Sequence, residues 1–139
     1  MHRYLDEHRK GCLVKPGDTI ELSITPDRYL TVRYAGASGD FNPIHIDDEY
    51  AKQVGLPGRI LHGLWMMAQV ARAHTEAAGG PDKLKSLSLQ FRGMGVLDQE
   101  LTVKGVVREV TGGIAIVDSE AEQGGRVLIR NAEAEIAAR

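Results

Sequence analysis

Cysteine is nearly absent: the 139 residues contain one, Cys12. A lone thiol forms no internal disulfide, so a disulfide scaffold is excluded, and the usage fits a reducing compartment such as the cytosol. Long apolar runs are missing too. No stretch reaches the roughly 20 apolar residues of a membrane-spanning helix. Met1 to Gly11 is charged where a secretory signal would carry an apolar stretch, so a cytosolic, membrane-free protein is expected. There is also no basic surplus. Lys and Arg total 17 against 19 Asp and Glu, a net charge of −2, and composition lends no support to a nucleic-acid partner.

What is present is ordinary for a globular chain: 42% hydrophobic and 26% charged residues. The length suits one domain over residues 1–139. A chain of this size buries about 68–70% of its unfolded surface and needs no metal staple. Residues 1–10 are polar and expected to be loosely ordered. No repeat or low-complexity tract interrupts the rest.

Lys15-Pro16-Gly17-Asp18 reads as a turn. Thr19 to Ile24 alternates, with Ile20, Leu22 and Ile24 on one face, and predicts a strand. Thr25 as N-cap and Pro26 as first residue predict a short helix to about Gly36, burying Leu30 and Tyr34. Ser38 to His45 reads as a polar loop. Asp47 caps a brief helix that ends at Gly55, and Leu56 to Arg59 is a second loop. One long helix is predicted from Leu61 to about Ala78. Its buried stripe is read as Leu64, Met67, Ala68 and Ala71, widened by Trp65 and Val70, and Gly79-Gly80-Pro81 ends it.

Beyond Pro81 the period changes to two. Leu87, Leu89 and Phe91 alternate with polar residues, as do Leu101, Val103, Gly105 and Val107. Gly112-Gly113 predicts a hairpin turn. Strands follow over Ile114 to Ala121 and Val127 to Ile136, separated by Gly124-Gly125. One strand, one long helix and then a run of antiparallel strands is an α+β order. A sheet with one apolar face needs a cover, and a curved sheet around the long helix supplies it.

The chemistry-bearing residues cluster between Tyr34 and Gly63. Asp40 and His45 stand five apart, with Asn42-Pro43 folding the chain between them. A carboxylate and an imidazole that converge on one water make an acid/base pair, and His titrates nearest neutral pH. Ile60-Leu61-His62-Gly63 opens the long helix. A helix start offers unsatisfied N–H groups and partial positive charge, and Gly63 would let a ligand approach the backbone. Such a terminus can polarise a thioester carbonyl and hold the enolate formed beside it.

These stretches, Gly36-Ala-Ser-Gly-Asp-Phe-Asn-Pro-Ile-His45 and Gly58-Arg-Ile-Leu-His-Gly63, resemble the hydratase 2 motif of MaoC-like proteins. That family includes (R)-specific enoyl-CoA hydratases and 3-hydroxyacyl-thioester dehydratases. The resemblance spans roughly Val14 to Ile136 in element order and implies a hot-dog fold. It implies that Asp40 and His45 bind and activate water, that Gly63 polarises the thioester carbonyl through its backbone N–H, and that Gly39 and Asn42 support the loop. It also implies syn addition of water to give an (R)-3-hydroxy thioester on CoA or an acyl carrier protein. Phe41, His62, Trp65 and Met66 become candidate walls of the substrate pocket. There are departures: Ala71 stands where some hydratases place a Ser, and Gly93-Met94-Gly95-Val96 replaces the usual Pro-Val and Gly-Asp after Phe91-Arg92.

Plainer readings exist for several of these residues. Asp40 and Asn42 could serve only as turn formers. His62 reads first as a structural histidine bonded to backbone, and Trp65, Met66 and Met67 as core or acyl-tunnel wall. Asp40, His45, Asp47 and Asp48 are metal-ligand types, but Asp47 and Asp48 equally suit a helix start, and no metal is expected. Arg92, Lys83 and Lys85 could meet CoA phosphates or simply be solvated. Addition of water needs no organic cofactor. A thioesterase is disfavoured because Leu64 to Thr75 holds no acid. A non-catalytic acyl-thioester binder, or one subunit of a heteromeric dehydratase, is the alternative. An exposed sheet edge predicts a homodimer or higher homo-oligomer.

Overall fold

The alternating segments do pair. The computed structural model describes residues 15–138. Cys12 and the loose ordering expected of residues 1–10 lie outside the described residues. Strand β1 spans Thr19–Ile24, β2 Leu84–Phe91, β3 Leu101–Thr111, β4 Ile114–Gln123 and β5 Arg126–Ala137. They form one antiparallel sheet in the order β1-β3-β4-β5-β2. The hairpins turn at the glycine pairs 112–113 and 124–125, as the sequence predicts.

Helix α1 covers Leu30–Ser38, α2 Pro43–Ile46, α3 Asp48–Gln53 and α4 Gly63–Ala78. Helix α4 lies against all five strands. The inner sheet face supplies Val103, Val117, Ala121, Leu128, Ile129, Ala134 and Ile136, all fully buried. Each large aliphatic among them contributes about 1.5–3 kcal/mol relative to exposure. Helix and wrapped sheet together are the hot-dog arrangement.

Two boundaries differ from the sequence reading. The first helix starts at Leu30 and not at Pro26. Asp27 sets that start: its carboxylate accepts from the Tyr29 N–H at 2.8 Å and pairs with Arg33, and its carbonyl accepts from Leu30. Pro26 is buried, and its carbonyl accepts from the Asp98 N–H at 2.7 Å. The long helix starts at Gly63 because Leu61 is still extended, donating to the Gly95 carbonyl at 2.9 Å beside an Ile60–Val96 bridge.

The buried stripe of α4 is also rotated. Trp65, Met66, Gln69, Val70, Ala73 and His74 face the sheet, whereas Leu64 is 66% exposed and Ala68 is exposed. Gln69 and His74 are polar, so hydrophobicity alone pointed to the neighbouring stripe.

One buried side chain ties the sheet to the loops. Gln123, at the end of β4, accepts from the Val96 N–H at 2.9 Å and donates to the carbonyls of Val96 (2.8 Å) and Gln99 (2.9 Å). It acts as an extra strand partner for a segment without one. Val96 in turn bridges Ile60, so β4 anchors the chain entering α4.

Candidate active site

The segment from Ser38 to His62 is built by side chains satisfying backbone groups. Gly39 ends α1 in the left-handed region, at φ 79°, with its N–H donating to the Ala35 carbonyl at 2.8 Å. This geometry suits Gly, which has no Cβ to clash. The Ser38 hydroxyl donates to the Tyr34 carbonyl at 2.7 Å and accepts from the Asp40 N–H at 3.1 Å. The Asp40 carboxylate accepts from the Asn42 N–H, and the Asn42 side chain accepts from the Ile44 N–H, each at 3.2 Å. Asn42 thereby caps α2, with Pro43 as its first residue. His45 lies on this one-turn helix, and not in an open loop as the sequence suggested.

These contacts bring Asp40 and His45 together. His45 Nε2 stands 3.8 Å from Asp40 Oδ2, and His45 is buried while half of the Asp40 side chain is exposed. The other ring nitrogen, Nδ1, donates to the Ile60 carbonyl at 2.8 Å. A carbonyl can only accept, so neutral His45 carries its proton on Nδ1 and presents the Nε2 lone pair to Asp40.

His62 completes the group. Its Nε2–H donates to the Asp40 carbonyl at 3.0 Å, and its ring stacks on His45 with centroids 3.8 Å apart and planes 22° from parallel. Tyr34 covers it further, tilted by 59° at 4.7 Å. Burial pushes the His62 imidazole below its ordinary value, helped by the neighbouring His45; the bond to Asp40 and the Asp40 charge oppose this.

Asp40, His45 and His62 each offer a ligand atom within 4.8 Å of the others. A ring nitrogen binds a cation along its lone pair, in the ring plane. Two nearly parallel rings 3.8 Å apart keep those lone pairs in separate, roughly parallel planes. Asp47 and Asp48 stand outside the group. Asp47 caps α3 by accepting from the Tyr50 N–H at 3.1 Å. Asp48 pairs with Arg59, accepting from its N–H at 2.9 Å and its Nε at 3.2 Å, and these bonds lower the Asp48 carboxyl.

Gly63 is the first residue of α4, one position from the stacked His62. A first-turn N–H has no intrahelical acceptor. A Cβ at Gly63 would touch the Phe91 ring at 3.4 Å, so Phe91 from β2 walls this helix start. Among the candidate pocket residues, Phe41 is exposed, while Trp65 and Met66 belong to the buried core. Sequence reasoning missed the Ile60 carbonyl, Tyr34, Ser38 and Phe91. Tyr34 and Ser38 had a signal as members of the chemistry-bearing stretch and Phe91 as the outer end of an alternating strand; a carbonyl partner leaves no trace in residue types.

A family model described as MaoC like domain matches residues 13–125. The peroxisomal hydratase-dehydrogenase-epimerase of Neurospora crassa is 30% identical over 122 residues, 88% of this chain and 13% of that protein. The peroxisomal enoyl-CoA hydratase 2 of Arabidopsis thaliana is 41% identical over 79 residues, 55% of this chain and 25% of that protein. The chain spans a quarter or less of these curated relatives, and 4% of two matching fungal fatty acid synthase beta subunits. Among solved structures, an R-hydratase from Pseudomonas aeruginosa superposes with a TM-score of 0.82 at 26% identity, covering 90% of this chain and 82% of that one. With the match running from before β1 to the β4–β5 turn, and the motif residues assembled at one helix start, the chain belongs to the MaoC-like domain family.

Proposed function

We propose that this protein is a hydro-lyase that adds water to a 2-enoyl thioester, or removes it from a 3-hydroxyacyl thioester, carried on CoA or an acyl carrier protein. One observation carries the reading: a carboxylate oxygen and an imidazole nitrogen stand 3.8 Å apart, and that imidazole stacks on His62, the residue just before the start of α4. The names of the hydratase relatives support it.

In the hydration direction, Asp40 and His45 hold one water between them. The pair takes a proton from that water as its oxygen bonds to C3 of the substrate. The C2–C3 π electrons move toward the thioester, and its oxygen gains charge. The Gly63 N–H, at the positive end of α4, stabilises that charge. The pair then returns a proton to C2, so atoms and charge balance. Delivery of both groups from one side makes the addition syn, and the likeness to an R-hydratase supports an (R)-3-hydroxy product. Asp40 and His45 act as one coupled unit. No redox step occurs, so the reaction calls for no redox cofactor.

The described strands share one core, which supports reading the chain as one domain. Exposed Leu64, Phe91 and Met94 near the helix start, with β2 as an edge strand, support a homo-oligomer. The lone thiol supports a cytosolic setting.

The test mixes purified protein with crotonyl-CoA, longer and branched enoyl-CoAs and acyl-carrier thioesters, following loss of the conjugated thioester absorbance. Turnover that disappears in Asp40→Asn and His45→Gln is expected. A wild-type protein that leaves the whole panel unchanged overturns the reading.

A further inference from the structure

We propose that His62 is a positioning residue that holds Asp40 and His45 in register, and that it does so as a neutral imidazole. The proposal rests on the hydro-lyase reading for its consequence, but its geometry stands apart from any substrate.

The position of His62 is unusual because one ring touches both members of the pair. Its Nε2–H holds the Asp40 backbone at 3.0 Å, and its face lies on His45 at 3.8 Å. His45 has one side-chain hydrogen bond in the structure, from Nδ1 to the Ile60 carbonyl. A ring held at one atom can swing about that bond. A flat neighbour prevents the swing, and Tyr34 backs that neighbour from the other element, α1. The Nε2 lone pair therefore keeps its aim at Asp40.

The second ring nitrogen of His62, Nδ1, is buried and has no hydrogen-bond partner. With the proton committed to Nε2, Nδ1 is a bare lone pair. Protonation there would bury an unpaired N–H donor and a positive charge against His45, and both are unfavourable. Burial and the facing His45 push the same way; Asp40 pushes against them. Asp40 and Tyr34 are the other titratable groups facing this ring among the described residues. His62 thus has a donor for the loop, a face for the His45 ring and no charge to repel a proton taken up by the Asp40–His45 pair.

Three variants separate these uses. His62→Gln keeps an N–H donor for the Asp40 carbonyl and removes the face. His62→Phe keeps the face and removes the donor. His62→Leu removes both. The expected result is a kcat loss of about tenfold in each of the first two and about a hundredfold in His62→Leu, with KM nearly unchanged, because misaimed groups slow the chemical step. A kcat in His62→Leu within twofold of wild type, or a loss confined to KM, overturns the proposal.

A second measurement needs no substrate. Ring 15N NMR of the wild-type protein is expected to show His45 protonated on Nδ1 and His62 on Nε2, with His62 still neutral below its ordinary value of 6.5. In His62→Leu, His45 is expected to keep Nδ1–H, held by the Ile60 carbonyl, while its Nε2 chemical shift moves as the ring turns away from Asp40. An Nδ1-protonated His62 in the wild type, or a His45 Nε2 shift unchanged in all three variants, overturns the proposal even if no thioester is ever turned over. Intact ring geometry in a protein inactive on every thioester would instead refute the hydro-lyase reading alone.

Discussion

The sheet with its covering helix and the segment from Ser38 to His62 obey different rules. In the first, residues such as Val117, Leu128 and Ile136 are buried among many equivalent neighbours, and any apolar group of similar volume would serve. In the second, specific hydrogen bonds and ring contacts set the geometry: Asn42 with Ile44, His45 with Ile60, and His62 with Asp40 and the His45 ring. Packing supplies stability here, and a few directional bonds supply geometry. Stability and catalysis should therefore be separable by mutation.

The largest effect should come from Asp40→Asn. Its carboxylate is half exposed, so stability should move by less than about 0.5 kcal/mol. Turnover should fall by roughly 10²–10⁴, the range for general acid–base groups. Initial rates beside urea midpoints check both, and a midpoint falling with the rate would break the separation. Leu128→Ala is the mirror case. It should lose about 2–5 kcal/mol while kcat of the remaining folded protein stays near wild type, read from the same two measurements.

Gln123→Leu sharpens the comparison because Gln123 joins the two regions. It would leave the Val96 N–H and two carbonyls without their partner. A loss of about 2–3 kcal/mol is expected, with a lowered kcat because Val96 supports the Ile60 segment that orients His45. Loss of stability with kcat intact would show that Ile60 is held some other way.

The smallest effect concerns pH. His74 is fully buried in the core, donates Nδ1–H to the Val70 carbonyl at 2.7 Å and leaves Nε2 unpartnered. Burial lowers it from the ordinary 6.5, as it does His62. Both rings are neutral when folded and take up protons more readily when unfolded. Their contribution is intact above the unfolded value and is lost as pH falls below 6.5 through the folded values. Urea midpoints at pH 7.5 and 5.5 should show this decline. His74→Leu should flatten it and, by removing an unpaired buried acceptor, should stabilise by about 1 kcal/mol. An equal decline in that variant would assign the pH dependence elsewhere.

Several features were legible in the sequence. Strict alternation marked β1 to β5, and the paired glycines placed two hairpins, because a strand with one buried face must alternate. Asp40, Asn42, Pro43 and His45 were legible because their types and spacing bear directly on turn formation and acid–base chemistry. The stripe on α4 was misread because Gln69 and His74 are polar yet face the sheet. The start of α1 was misread because Asp27 outcompeted Thr25 through its own backbone contacts.

By itself the sequence determined the element order, the sheet-facing positions of the later strands and the presence of a carboxylate–imidazole pair beside a helix start. All of these follow from local periodicity and local residue chemistry. Only the tertiary structure decided which face of α4 is buried, which nitrogen of His45 is free and what holds it there. Those depend on the Ile60 carbonyl 15 residues away, on the Gln123 clamp from β4 and on the stacked ring of His62. Contacts between residues distant in the chain are set by how the whole sheet closes around its helix, and no local pattern encodes them.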